Sequence, residues 1–204
     1  MVLKIKKDLF YDSSILIYFC GIIAYITYRS TDMLIFLFSA VLVGACTLLN
    51  ICNRRAVHSS LYLIWYILFC FFACLTMLWA LDETKVLNVF ASVPIILFTA
   101  VVLGEYIITA ERWNKALNFL IVAGVVTSVR CLLYTDLFSL LSYYNRDMFA
   151  KELLSAGLTY NAFTTPMALI CIIAVYLVYK KSKKRYAIAY GVITLTLIIS
   201  GSRK

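Results

Sequence analysis

Charge is what this chain has least of. Only 14% of its 204 residues are Asp, Glu, Lys or Arg, while 64% are apolar and the mean hydropathy is +0.93. Soluble domains hold about a quarter charged and roughly half apolar residues. A chain of this length cannot hide the surplus in a core, so a water-soluble globular fold is excluded and lipid must act as solvent. Histidine is scarcer still. The single copy, His58, follows Arg54 and Arg55 in a polar stretch and reads as a solvated loop residue with no catalytic part. No Gly-rich phosphate loop and no Ser/His/Asp grouping is present. Paired carboxylates inside an apolar run, the mark of a proton-driven transporter, are also missing. The seven cysteines lack zinc-ligand spacing. Cys70 and Cys74 share a helix face, but no His or carboxylate sits beside them to complete a metal site. All seven read as small apolar residues, so neither metal nor cofactor is expected.

What is abundant is long apolar runs. In lipid every backbone group must be paired internally, which continuous apolar runs achieve as α-helices. The spacing predicts an all-α polytopic membrane protein with about seven transmembrane helices, near 13–28, 33–51, 61–81, 87–108, 116–134, 161–179 and 186–200. The first run has a basic start, but no small-x-small cleavage site follows, so it reads as a retained signal anchor. Lys180, Lys181, Lys183, Lys184 and Arg185 fill a short turn between the last two runs, and such a block marks the cytoplasmic side. Alternation from there places the N-terminus in the cytoplasm and the C-terminus outside. Twelve Lys and Arg then fall inside and seven outside. The net charge of +9 is thereby explained by topology and anionic lipid, and nucleic acid is not an expected partner.

Within this frame, Met1–Asp12 reads as a basic inner segment and RSTD at 29–32 as a tight outer turn. Trp79 is placed at the outer interface, and Glu111, Arg112, Trp113 and Lys115 form a cytoplasmic loop. Pro94 predicts a kink in the fourth span. Glu105, one turn from its inner end, is expected to reach water or to pair with Arg112 or Lys115. Arg130 lies about 21 Å up the fifth span, still within the apolar zone. It reads equally as a snorkelling side chain or as a ligand for an anion. Residues 135–160 are the longest stretch that does not span, and they carry Arg146. The outer face thus collects Arg130, Arg146, Asn161, Ser200, Ser202 and Arg203. Guanidinium groups grip phosphate oxygens bidentately, and Asn and Ser add neutral donors.

The tail from Gly157 to Lys204 opens one span with a Gly…Asn pair, turns through the basic block, and ends the next span in Gly201-Ser202-Arg203. In this it resembles the central part of the O-antigen ligase and O-antigen polymerase family. The resemblance implies a membrane enzyme that transfers undecaprenyl-diphosphate-linked oligosaccharide outside the bacterial cytoplasmic membrane, without a metal. Its partners would be membrane lipids, the lipid-linked glycan and other cell-envelope polysaccharide machinery. It also implies that Arg203 helps hold the departing diphosphate, with Arg130, Arg146, Asn161 and Ser202 nearby. Members of that family continue for further spans and a large outer loop. The 204 residues are therefore expected to be the N-terminal part of a longer protein, a single membrane domain inactive by itself. The competing expectation is a non-enzymatic module of a transporter or flippase, for which polar groups near the midplane would be the sign.

Overall fold

The computed structural model describes residues 2–28, 33–54, 61–76, 83–134 and 160–199. They form seven helices with no strand among the described residues: α1 (Val2–Tyr28), α2 (Met33–Arg54), α3 (Leu61–Thr76), α4 (Glu83–Tyr106), α5 (Ala110–Tyr134), α6 (Tyr160–Lys181) and α7 (Lys184–Ile199). The chain is all-α, as its apolar runs require. Four stretches are long and apolar enough to cross a membrane: Asp8–Thr27, Met33–Asn53, Ala110–Leu133 and Phe163–Lys181. A shorter apolar helix runs over Val93–Tyr106, with Pro94 inside α4. RSTD at 29–32, Trp79, His58 and residues 135–159 lie outside the described residues, as do the side chains of Cys70 and Cys74.

Residues 2–12, which carry Lys4, Lys6 and Lys7, form the first turns of α1. One expected boundary is corrected. Glu111, Arg112, Trp113 and Lys115 are not a loop, because α5 begins at Ala110. Thr109 is the cause. Its Oγ1 accepts the Arg112 N–H at 3.3 Å, and its carbonyl takes the Trp113 N–H at 3.0 Å. That arrangement is an N-cap, and Glu111 in the first turn complements the positive end of the helix dipole. Charge marks where a helix leaves lipid, which is not where the helix must end.

The chain divides into two compact units, one of Met1–Val43 with Asn114–Lys204, the other of Gly44–Trp113. In the second, α3 packs on α4, and the ring of Phe98 lies against Gly44. Arg112 caps the ring of Tyr106 at 5.5 Å.

The first unit holds α1, the start of α2, nearly all of α5, and α6 and α7. Its interior is written in heptad-like spacing. Leu117, Ile121, Gly124, Ser128 and Cys131 are buried along α5, and Phe163, Met167, Ile170, Ala174 and Leu177 along α6. On α7 the stripe is Tyr186, Ala189, Ile193 and Thr196. Alternating steps of three and four keep one seam facing its neighbours, the geometry of near-parallel helix packing. α6 packs against both α7 and α1. Close approach depends on small residues. A Cβ on Gly124 would sit 2.8 Å from Ile170 Cγ2, and one on Gly21 would collide with Ser39 Oγ.

The surface of this bundle differs from that of a soluble protein more than its interior does. Ser14, Thr27, Ser39, Thr127, Ser128 and Thr196 are buried, while Leu34, Leu133 and Ile172 are 80%, 81% and 70% exposed. Most of the buried hydroxyls donate to carbonyls of their own helix: Ser14 to Tyr11 at 2.8 Å, Ser39 to Phe36 at 2.7 Å, Thr127 to Ala123 at 2.9 Å and Thr196 to Val192 at 2.8 Å. A hydroxyl satisfied in this way costs little inside a bundle, whereas Leu, Ile and Val rows outside need a hydrocarbon surround.

Candidate functional site

Helix direction decides which candidate residues share an end. Asn118, low on α5, meets Tyr186 at the start of α7. Farther up, Gly124 faces Ile170, and Ser128 Oγ donates to Met167 Sδ at 3.7 Å. Cys171 Sγ is 3.4 Å from Thr194 Oγ1. α5 and α7 therefore run one way and α6 the other. From the Asn118–Tyr186 level, Arg130 is twelve residues along α5, about 18 Å, and Ile199 is thirteen along α7, about 20 Å. Asn161, the second residue of α6, begins that helix at the same end. The far end of the unit thus gathers Arg130, the N-terminus of α6 and the exit of α7. The basic turn lies at the opposite end.

Arg130 is half-buried, and it stands one turn before the end of α5. Thr127 and Ser128, both buried, lie just beneath it on the same helix. The backbone of Asn161 is helical, and its side chain lies outside the described set. Arg146, Ser200, Ser202 and Arg203 lie outside the described residues altogether. Two of the five site residues named from the sequence, Arg130 and Asn161, are therefore placed, and they are placed at one end.

Glu105, expected to reach water or to pair with Arg112 or Lys115, is 2% exposed on α4 and does not reach water. The Lys115 ammonium lies 3.0 Å from Asp12 Oδ2 and ties α5 to α1.

At the basic-turn end the structure holds a side-chain chain that sequence reasoning missed. The Arg185 guanidinium donates to the Tyr186 hydroxyl at 2.9 Å, and that hydroxyl donates to Asn118 Oδ1 at 2.7 Å. Arg185 also lies over the Tyr186 ring at 4.9 Å, with Lys181 over the same ring at 5.9 Å. The signal was available. Asn118 is the one amide in the apolar run from Ala116 to Val126, and a lone amide on a buried helix face calls for a partner. Among the described residues no cluster of three or more His, Cys, Asp or Glu is poised to hold a metal. No protein-family model, curated protein or solved structure matches this chain.

Proposed function

We propose that the chain forms part of a membrane glycan polymerase or ligase, which moves an undecaprenyl-diphosphate-linked oligosaccharide outside the cytoplasmic membrane of a bacterium. The observation that supports this reading is the common end shared by Arg130, the start of α6 at Asn161 and the exit of α7 toward Ser202 and Arg203. Arg130 and Asn161 stand at the end of the unit where α7 also ends, and Ser202 and Arg203 follow α7 in the sequence. A guanidinium in a partly dry site holds a diphosphate bidentately and stabilises the charge that grows as the sugar departs. Arg203 has that role, with Arg130 and Arg146 as further cations and Asn161 and Ser202 as neutral donors. No step in this scheme requires a metal. The orientation that goes with it has the basic turn and the N-terminus in the cytoplasm.

The test is photocrosslinking of the purified chain with a diazirine-bearing undecaprenyl diphosphate. Labelling is expected on the peptides that carry Arg130 and Arg203, with competition by unlabelled undecaprenyl diphosphate and none by undecaprenol. Labelling confined to the Lys180–Arg185 turn would overturn the reading.

A further inference from the structure

Between α5 and α7, at the end that carries the basic turn, lies a cleft of about 360 Å³. Its walls are apolar, among them Ile121, Val125, Ala189 and Val192, and its mouth is formed by Asn118, Arg185 and Tyr186. Its α5 wall extends from Asn118 to Val126, roughly 12 Å, against a hydrocarbon half-thickness of ~15 Å. A groove this long that is polar at one end and apolar along the rest matches one half of a bilayer in depth and in polarity.

The charge at the polar end is of one sign. Arg185 lines the cleft, Lys180, Lys181, Lys183 and Lys184 stand within five residues of it in the adjoining turn, and among the described residues none of the five meets a carboxylate. Lys180, Lys181 and Arg185 instead lie over the rings of Tyr176 and Tyr186 at 5.4, 5.9 and 4.9 Å. The Arg185 guanidinium is held from one side by the buried Tyr186 hydroxyl, itself anchored to Asn118. A guanidinium has five N–H donors in a fixed fork, so fixing one edge presents the others in a set direction.

We propose that this cleft is a binding site for one anionic phospholipid, its phosphate on Arg185 and the flanking lysines and one acyl chain lying between α5 and α7. The charge complementarity selects an anionic headgroup, and the apolar walls select a lipid over a free phosphate. The site stands at the opposite end of the unit from the proposed diphosphate residues and does not rest on the glycan reading.

Native mass spectrometry of the full chain, released from detergent with dioleoyl-phosphatidylglycerol or dioleoyl-phosphatidylcholine, tests it. One phosphatidylglycerol is expected to be retained, at least tenfold in preference to phosphatidylcholine. Arg185→Gln is expected to remove that preference, while Lys7→Gln, equal in charge change but on α1 and outside the helices that line the cleft, keeps it. Val125→Phe, which fills the apolar part and leaves every cation in place, is expected to cut retention about tenfold. Equal loss in both charge variants would reduce the effect to general surface charge and overturn the site. Undiminished binding in Val125→Phe, or displacement of the lipid by millimolar inorganic phosphate, would do the same. Each variant's melting profile is recorded alongside, and the Val125→Phe arm decides the matter if Arg185→Gln does not fold.

Discussion

The two ends of the α1–α5–α6–α7 unit use polar side chains in different ways. At the basic-turn end they join helices to one another. Asp12 and Lys115 link α1 to α5, and the Arg185–Tyr186–Asn118 chain links α7 to α5. Toward the other end, Thr127 and Thr196 turn back onto their own carbonyls, and helices touch there through sulfur, Ser128 with Met167 at 3.7 Å and Cys171 with Thr194 at 3.4 Å. The first end carries the charge-assisted links, the second close packing and weaker sulfur contacts. The strong bonds thus sit beside the basic turn, while small residues and packing set the helix spacing farther along.

The largest expected effect breaks the comparison at the far end. In a version of the protein that carries transfer activity, Arg203→Lys replaces a planar fork by a point charge and is expected to lower polymer output about a hundredfold, near 2.7 kcal/mol. Arg112→Ala, which removes a cation stacked on Tyr106 in the other unit, is expected to leave output within about twofold. Gel analysis of the lipid-linked product measures both. Wild-type output from Arg203→Lys would remove the diphosphate role.

Packing is probed next, where the two ends meet at mid-helix. Gly124→Val places branched carbons where Ile170 Cγ2 already stands 2.8 Å from the position of a Cβ, and Ile170 is buried. Overpacking of this kind costs about 1–3 kcal/mol. A fall of several degrees in the thermal midpoint in detergent is expected. Gly191 has open space around it, so Gly191→Ala is expected to gain about 0.5–1 kcal/mol from helix propensity alone. If both substitutions moved the midpoint in the same direction, close approach of α5 and α6 would not be what holds this level together.

How much of this was legible beforehand follows from what each signal reports. Apolar runs gave the helices and most of their boundaries, because lipid leaves the backbone no alternative. They misplaced the start of α5, since hydropathy detects the lipid-embedded part of a helix while Thr109, a cap, sets its true beginning. Arg130 and Asn161 could be assigned to one face because the alternation of helices is arithmetic. The Asp12–Lys115 pair could not, because its partners are 103 residues apart and Lys115 had a nearer candidate in Glu105. The burial of Glu105 escaped for a related reason: distance from a helix end says how deep a residue lies, not which neighbours cover it. Arg146, Ser202 and Arg203 lie outside the described residues, and their case rests on the sequence.

The brace at the basic end has a measurable size. Asp12→Asn and Lys115→Met, combined in a double-mutant cycle, are expected to show a coupling of about 0.2–1 kcal/mol, because the lysine side chain is 40% exposed and solvent screens the pair. Raising the salt concentration is expected to shrink that coupling. A coupling that survives high salt would mean that lipid headgroups shield the pair, which would place it deeper than the helix arithmetic does.

The smallest expected effect lies in the turn itself. Ser182 ends α6 with φ at 48°, and its N–H donates to the Val178 carbonyl at 2.9 Å. The left-handed conformation costs an L-residue about 1–2 kcal/mol, and glycine is the residue that ends helices there without that cost. Glycine also gives the unfolded chain more freedom, which offsets about 0.5–1 kcal/mol of the relief. Ser182→Gly is therefore expected to stabilise by about 0.5 kcal/mol, a rise of roughly 1–2 °C in the thermal midpoint. A fall would mean that the serine hydroxyl takes part in bracing this end, which would extend the network from Arg185, Tyr186 and Asn118 across the turn to α6. The sign of so small a shift thus decides whether the turn only reverses the chain or belongs to the brace.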